Sequence, residues 1–303
     1  MDKIKGIFYI IGAAIIFGFI PFFAKKAFLN GFNEMTFILG RCIFATLFLY
    51  VYIKKKGIIF KASKKDKKNI FVISLIGYGS MLYILVLSYS FMPTGIATSI
   101  HFVYPLIVMV GGVVFYNERI NFLKVLVLIT AFVGIYFIVG YRSAGNITLL
   151  GFVLAFISGV LYAYYILVVG SGNLKKINSI ELVFYVCFLN VFFFFIASLI
   201  TGNFSLDITL TGYSYIIILA VFSLMGMIGF KKGLELINTV TAAILSTFEP
   251  VTSLLVGVFL LGEVLLIYHV IGSVLIICAV IFAALIEKKE NDSIKSEVEG
   301  RVK

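Results

Sequence analysis

The chain has 303 residues, of which 62% are hydrophobic and only 13% are charged. Its mean hydropathy is +1.13, and a soluble fold of this length could not hide so much apolar surface from water. The formal net charge of +11 suggests nucleic-acid binding as one interpretation, but the placement of the basic residues argues against it. The composition therefore predicts a protein of the lipid bilayer and excludes a soluble globular domain.

Ten apolar stretches are long enough to cross the hydrocarbon layer, since a spanning helix needs about 20 such residues. They lack the alternation of barrel strands, so helices are expected. The predicted fold class is an all-α membrane protein with ten transmembrane helices, at residues 6–24, 33–53, 69–91, 94–116, 121–140, 147–169, 179–201, 211–234, 239–261 and 264–286.

Lysine and arginine gather on one side of these predicted helices. With the N-terminus placed in the cytoplasm, 21 of them flank cytoplasmic ends, 3 flank outer ends (Lys25, Lys26 and Arg142), and Arg41 lies inside a span. Cytoplasmic segments of membrane proteins carry an excess of basic residues. We therefore predict a multi-pass protein of the plasma membrane with both termini in the cytoplasm and no nucleic-acid partner.

An ungapped shift of 145 residues lays the segment Thr94–Glu118 on the segment Thr239–Glu263. The chain contains only 4 Pro and 14 acidic residues, so matches between these residue types indicate a duplication. The shift makes two such matches, Pro105 with Pro250 and Glu118 with Glu263.

Because each copy contributes an odd number of helices, the second copy is expected to cross the membrane in the opposite direction. We predict two inverted five-helix repeats, at residues 1–141 and 146–286, followed by a charged cytoplasmic tail at residues 287–303. The nearly uniformly apolar fifth and tenth helices are expected to be peripheral.

Glu249 is the acidic residue expected near the membrane midplane, because it lies in the middle of the ninth predicted helix. An ionised side chain there costs about 2.5 to 3.5 kcal/mol on insertion scales, so it should face a partner, water or a substrate. The next residue, Pro250, crowds the backbone near Ser246 and predicts a bend. The alternative is a protonated glutamate that is hydrogen-bonded between packed helices.

The repeat predicts a second polar helix face opposite the first. The same shift aligns Tyr104 with Glu249 and His101 with Ser246, and residues three apart share a helix face. We therefore expect His101, Tyr104, Ser246 and Glu249 to form a substrate-binding or coupling site between the repeats. A structural histidine with satisfied hydrogen bonds is an equally open interpretation of His101.

Three more residues in the predicted helices are candidates for the site. Arg41 can neutralise Glu249, attract an anionic group of a ligand, or extend its charged end to the outer interface; we favour a structural or gating role. Tyr83 and Tyr162, like Tyr104, lie deep enough to line a cavity and suit an amphipathic or cationic ligand.

The prolines and glutamates that repeat in the two copies are expected to shape the chain. Pro105 and Pro250 are predicted kinks. Glu118 and Glu263 fall just past the fourth and ninth helices, where a carboxylate can cap the first turn of the next helix and fix a tight hairpin.

Cys42, Cys187 and Cys278 lie far apart within predicted helices, without the spacing of a disulfide or a metal site. We interpret all three as small buried residues. The sequence predicts no metal site, no cofactor and no catalytic residues, and therefore no enzyme.

These features together resemble the EamA family of the drug/metabolite transporter superfamily. The resemblance rests on the ten spans, the lysine-rich loop after the second helix, Arg41 in that helix, and the doubled pattern from Pro105 to Glu118 and from Pro250 to Glu263. It covers nearly the whole chain and implies a secondary transporter, often an exporter of amino acids or other metabolites, with a central cavity. The first copy departs from the usual pattern because Asn117, rather than glycine, precedes its glutamate.

The leading functional hypothesis is a secondary transporter that binds a small metabolite between its halves and works by alternating access. The expected partners are a small-molecule substrate and membrane lipids, with protons as a candidate coupling ion and a monomer or homodimer as the assembly. The alternatives are a non-transporting receptor or assembly subunit and an intramembrane enzyme, although the sequence lacks the clustered groups that an enzyme needs.

Overall fold

The computed structural model describes the backbone of residues 2–92, 94–118, 120–140, 148–205 and 207–302. Within these ranges it describes no side chains for residues 94, 95, 139, 140 and 291–302. Most of these described residues are helical. Arg119 and Arg142, which enter the charge count above, lie outside the described residues, as does the predicted boundary between the repeats at residues 141–146.

Nine helices in the described part of the chain are long and apolar enough to cross a membrane, and one further apolar helix, α5, is shorter. The all-α membrane class is therefore confirmed. In chain order the helices are α1 (Asp2–Phe28), α2 (Glu34–Lys56), α3 (Lys64–Ser88), α4 (Ile96–Tyr116), α5 (Phe122–Ile138), α6 (Leu149–Gly170), α7 (Ser179–Thr201), α8 (Leu210–Leu236), α9 (Thr239–Leu261) and α10 (Ile267–Glu290).

The ends of the helices are set by side-chain caps and left-handed residues. A capping side chain satisfies backbone N–H groups of the first turn, which have no partner inside the helix. Seven helices begin in this way, after Asn33, Ser63, Asn121, Thr148, Asn178, Thr209 and Asn238. Four helices end at a residue with positive φ, which closes the last turn: Gly57, Asn117, Gly202 and Gly262.

Glycines bring the backbones of α5 and α10 close together. A Cβ atom added to Gly134 would lie 2.8 Å from the carbonyl oxygen of Gly272, and one added to Gly272 would lie 2.5 Å from that of Gly134. Small residues permit such close packing of helices in a membrane. The two helices that are expected to be peripheral thus pack against each other, and Cys278 of α10 is exposed rather than buried as predicted.

We expect Gly272→Val to lower the thermal stability of the protein markedly. A new side chain would push against the α5 backbone, and overpacking a tight contact costs about 1–3 kcal/mol. The measurement is the melting temperature in detergent. The matched control is Gly12→Val, because nothing lies within 4 Å of a Cβ atom added to Gly12. Equal losses in the two variants would contradict close backbone packing between α5 and α10.

Helices α4 and α9 are interrupted at corresponding places, just before a proline. α4 leaves the α-helical conformation between His101 and Tyr104, and α9 forms a 3₁₀ turn over Ser246–Phe248. Proline cannot donate a backbone hydrogen bond, and its ring crowds the carbonyl one turn earlier. The interruptions therefore fall at the polar positions that the sequence analysis singled out.

Helix α3 contains a π-helical segment, Ile73–Gly79, which the sequence analysis did not predict. Asn190 of α7 donates its side-chain amide to the Ser74 carbonyl at 3.1 Å and to the Val186 carbonyl at 2.8 Å. Its amide therefore stabilises the π-helical turn from outside. Such turns often occur at functional sites, and this one carries Tyr78.

Candidate functional site

A group of aromatic side chains lies where α4 meets α6. The Tyr162 ring of α6 is stacked on the His101 ring with centroids 5.5 Å apart, and it meets the Tyr104 ring edge-on at 4.8 Å. Aromatic pairs at such distances contribute about 0.5–1.5 kcal/mol beyond the burial of their area. We refer to His101, Tyr104, Tyr162, Ser246 and Glu249 as the central site.

A hydrogen bond connects α4 to α9 within the central site. The Tyr104 and Ser246 hydroxyl oxygens are 2.7 Å apart, and Ser246 also donates to the Ala243 carbonyl at 2.8 Å. Because a hydroxyl group has one proton, Tyr104 is the donor in the bond between them. This bond joins the two faces that the repeat predicted to be opposite each other.

His101 is buried and hydrogen-bonded to α6. Its Nδ1 atom lies 2.9 Å from the Ser158 hydroxyl oxygen, and Ser158 donates its own proton to the Ala155 carbonyl at 2.6 Å. Nδ1 is therefore the donor to Ser158, which fixes the orientation of the imidazole ring. His101 thus has a structural partner and at the same time forms one wall of the central site.

Glu249 is partly buried beside the phenol groups of the central site. Tyr89, Tyr104 and Tyr162 are close enough to interact electrostatically with its carboxyl group. Within the described part of the chain no hydrogen bond or ion pair reaches this carboxyl group. The alternative of a glutamate hydrogen-bonded between packed helices therefore lacks the bond that it requires.

Arg41 points into the helix bundle. It is buried, at 7% exposure, and its Nη2 atom donates to the Tyr78 hydroxyl oxygen at 3.3 Å. The interfacial position considered for Arg41 is therefore wrong, because the π-helical segment of α3 places a phenol oxygen within its reach. A pairing of Arg41 with Glu249 is also absent among the ion pairs of the described residues.

Tyrosines connect Arg41 with the central site. The Tyr78 ring lies 5.5 Å from that of Tyr165, and the Tyr165 ring is stacked parallel to that of Tyr162 at 6.1 Å. The sequence analysis did not assign Tyr78 or Tyr165 to the site, since several tyrosines in α3 and α6 look equivalent until the rotation of each helix is known. Ser158 carried no sequence signal.

Tyr83 does not join this group. It is partly buried against a separate hydrophobic cluster that includes Phe194 and Leu219. The expectation that Tyr83 lines a cavity with Tyr104 and Tyr162 is therefore not met.

The repeated glutamates fold back onto their own helices. The backbone N–H of Glu118 donates to the Gly112 carbonyl at 2.9 Å, and that of Glu263 donates to the Gly257 carbonyl at 3.1 Å. A Cβ atom added to Gly112 would lie 3.4 Å from Glu118 Oε2, and one added to Gly257 would lie 2.5 Å from Glu263 Oε2. The glycine that recurs six residues before each glutamate therefore makes room for the carboxylate.

Each of these carboxylates then contacts a helix of the other predicted repeat. Glu118 accepts a hydrogen bond from Ser171, at the end of α6, and the Ser171 hydroxyl also contacts Thr239 at the start of α9. Glu263 lies 3.6 Å from the Lys25 ammonium group, near the end of α1.

The predicted capping role of Glu118 therefore needs correction. The first turn of α5 is capped by Asn121, whose side-chain oxygen accepts from the Leu123 N–H at 3.1 Å. Glu118 instead folds away from α5 because the left-handed residue Asn117 turns the chain back over α4. A helix-to-helix contact between the predicted repeats takes the place of the proposed cap.

A cavity of about 640 Å³ lies between the first turns of α3 and the ends of α4 and α6. Lys68, Lys175 and Lys176 line it together with Tyr116, Tyr164 and Val168, and we refer to it as the lysine cavity. The residues of the central site do not line it. The sequence analysis did not predict this cavity, because it interpreted the lysine-rich loop as a signal of orientation and as a segment attracted to anionic lipid.

The sequence profile of the EamA-like transporter family matches the chain twice, over residues 4–140 and 149–285. The chain belongs to the EamA family. This family is part of the drug/metabolite transporter superfamily, and the two matches identify two EamA repeats. The protein is accordingly a multi-pass membrane protein of a transporter family.

Known proteins similar to this EamA chain include two uncharacterized transporters. It is 29% identical over 168 residues to transporter YxxF of Bacillus subtilis, an alignment that covers 54% of this chain and 53% of the relative. It is also 29% identical over 238 residues to a transporter of Archaeoglobus fulgidus, covering 78% of this chain and 82% of the relative. The chain thus spans only about half the length of the first of these relatives.

A protein of known crystal structure shares the fold of this EamA chain. The two superimpose with a TM-score of 0.82, over 94% of this chain and 98% of the other, at 13% sequence identity. At this level of identity the similarity concerns the fold alone.

Proposed function

We propose that this EamA protein is a secondary transporter that exports small metabolites such as amino acids by alternating access. The observation that carries the proposal is the Glu249 carboxyl group, which lies near the Tyr104 and Tyr162 phenol groups and has no hydrogen-bond partner among the described residues. A carboxyl group inside a span is costly unless water, a proton or a ligand occupies its surroundings. A substrate or a coupling proton would supply the missing partner.

The proposed substrate contacts follow from the chemistry of the central site. The Glu249 carboxylate would bind an ammonium group or a proton, while the Tyr104 and Tyr162 rings would stabilise a cation against their faces. Tyr104 and Ser246 now bond to each other, and both could instead bond to a polar substrate group. A small amino compound with one polar and one apolar end matches these partners.

The proposed movement changes contacts between the two EamA repeats. The Glu118–Ser171–Thr239 group and the Glu263–Lys25 pair both join α4 or α9 of one repeat to α6 or α1 of the other. If the repeats are inverted in the plasma membrane and both termini are cytoplasmic, these two contacts lie at opposite membrane faces. Alternating access would then open one of them while the other stays closed.

The first experiment searches for the substrate with the purified full-length protein. Melting temperatures are measured in the presence of the twenty amino acids, aliphatic amines and nucleosides, because a ligand at 100 times its Kd stabilises the folded state by about 2.7 kcal/mol. Compounds that bind are then tested for counterflow in proteoliposomes. We expect at least one amino compound to bind and to be transported.

Two serine variants test whether such binding uses the central site. Ser246→Ala removes a hydroxyl group of the central site and should weaken the ligand-induced shift, whereas Ser214→Ala removes one that bonds to the Leu210 carbonyl on α8 and should not. Ligand binding without flux would favour the alternative of a non-transporting receptor. Equal shifts in both variants would move the binding site away from Ser246.

A further inference from the structure

The lysine cavity changes in character along its length. At the beginning of α3 its wall carries Lys68, and one turn further along α3 it carries Val72. The opposite wall changes in the same order, from Lys176 beyond the end of α6 to Val168 inside α6. Four residues of helix correspond to about 6 Å, so on the α3 wall the basic rim lies one turn away from the apolar section.

The rim lysines stand on fixed elements of the structure. Lys175 and Lys176 belong to a 3₁₀ turn, Asn173–Lys176, which is anchored by the fully buried Leu174. The buried Lys231 of α8 donates to the Lys175 carbonyl at 2.8 Å. Because these contacts fix the turn, the backbone that carries the two lysines needs no further ordering when an anion binds.

The third rim lysine is also on a fixed element. Lys68 lies one turn after the start of α3, where Ser63 and Asp66 form a reciprocal capping box. Asp66 is occupied by this cap, since Oδ2 accepts from the Ser63 N–H at 3.1 Å and from its hydroxyl group at 2.7 Å.

The carboxylates near the cavity form hydrogen bonds or ion pairs with groups other than the rim lysines. Among the described residues, those that line the cavity include three lysines and no carboxylate. The Glu118 carboxylate accepts a hydrogen bond from the hydroxyl group of Ser171, which lines the cavity. Glu235 accepts from Lys231 at 2.8 Å and from Ser179 at 2.9 Å. The rim therefore presents uncompensated positive charge to a ligand.

The inner part of the cavity is apolar, because Val72, Ile73 and Val168 line it. Val72 and Val168 belong to α3 and α6, which are apolar helices of spanning length, and Tyr164 of α6 is 37% exposed. A ligand that enters here can place an anionic group at the rim and a hydrocarbon chain inside.

We propose that the lysine cavity binds an anionic phospholipid. Its phosphate would lie between Lys68, Lys175 and Lys176, and one acyl chain would lie against Val72 and Val168. A soluble organic phosphate shares the chemistry of the headgroup, but it would leave the apolar section unused. Because α3 and α6 belong to different EamA repeats, the bound lipid would bridge the repeats at this membrane face.

The test measures lipid binding and needs no transport activity. Purified, delipidated protein in an uncharged detergent is titrated with phosphatidylglycerol or with phosphatidylcholine of the same acyl chains, and bound lipid is counted by native mass spectrometry while the melting temperature is recorded. We expect phosphatidylglycerol to bind and raise the melting temperature, and phosphatidylcholine to bind at least tenfold more weakly. Equal binding of the two lipids would overturn the proposal.

Two triple variants separate a specific site from general surface charge. Replacing Lys68, Lys175 and Lys176 with glutamine should weaken phosphatidylglycerol binding at least tenfold. Replacing Lys54, Lys55 and Lys56 with glutamine removes the same charge from the last turn of α2, outside the cavity, and should change binding less than twofold. Similar losses in the two variants would mean diffuse attraction to the surface and would overturn the proposal.

Two further measurements decide between a lipid and a soluble phosphate. Val168→Trp fills the apolar section and should reduce phosphatidylglycerol binding. Glycerol 3-phosphate alone should produce little shift in melting temperature. A shift as large as that of the lipid, unchanged by Val168→Trp, would assign the cavity to soluble phosphates instead. If the cavity triple variant does not fold, the single variants Lys68→Gln and Lys176→Gln provide the same comparison, each with an expected partial loss.

Discussion

Glu249→Gln is expected to leave the protein folded and to reduce transport by about 10- to 100-fold. The range follows because a hydrogen bond to a charged group contributes about 1.5–3 kcal/mol, and about 1.4 kcal/mol corresponds to a factor of ten. The structure explains why folding should survive, since no described residue bonds to the Glu249 carboxyl group. Glutamine retains the size of the side chain and removes its charge and its proton.

The pH dependence of transport gives this prediction a second readout. Glutamine does not titrate, so transport by Glu249→Gln should respond to an imposed proton gradient much less than transport by the wild type. Flux is measured in proteoliposomes with a compound found in the ligand screen. Glu34→Gln, at an exposed position in the first turn of α2, is the matched control. Wild-type flux with wild-type pH dependence in Glu249→Gln would exclude a coupling role for this carboxyl group.

Glu287→Ala is expected to destabilise the protein by about 3–5 kcal/mol, the cost typical of breaking a buried ion pair. Glu287 is fully buried near the end of α10. Its carboxylate lies 2.6 Å from the Lys3 ammonium group and 4.0 Å from that of Lys124. It also accepts from the Thr241 hydroxyl at 2.7 Å and from the Asn238 N–H at 3.2 Å. One side chain thus joins α1, α5, α9 and α10.

A double variant distinguishes an ion pair from simple loss of packing. Lys3 is the cation closest to Glu287, at 2.6 Å, whereas Lys124 lies 4.0 Å from Glu287 and also pairs with Glu290 at 2.8 Å. Glu287→Leu combined with Lys3→Leu removes both charges of the close pair and should recover part of the stability that Glu287→Leu loses. The melting temperatures of the two single variants and the double variant give the coupling. Strictly additive losses would contradict the ion-pair interpretation.

Hydropathy made the helical membrane fold predictable, because every spanning segment must satisfy its backbone hydrogen bonds internally and remain apolar outside. The repeat was visible because proline and acidic residues are scarce in this chain. The same scarcity identified Glu249 and its neighbours. These predictions depend on residue identity along the chain, which the sequence contains in full.

The relations between helices were harder to predict. Whether Arg41 points to the interface or to Tyr78 depends on how α2 is rotated and on a π-helical turn in α3. Helices that are apolar on all sides give little periodic signal for such rotation. Likewise, the partner of Glu118 depends on a left-handed residue that reverses its direction, and an acid just before the next helix looks equally suited to capping.

The close approach of Gly134 and Gly272 has a consequence for biosynthesis. Helices enter the membrane in the order of translation, so α5 is inserted long before α10 exists. Until α10 arrives, the glycine face of α5 is uncovered and Lys124 lacks Glu287. The first repeat therefore enters the bilayer with this surface of α5 uncovered. Insertion of α10 then covers the surface and brings carboxylates to Lys124.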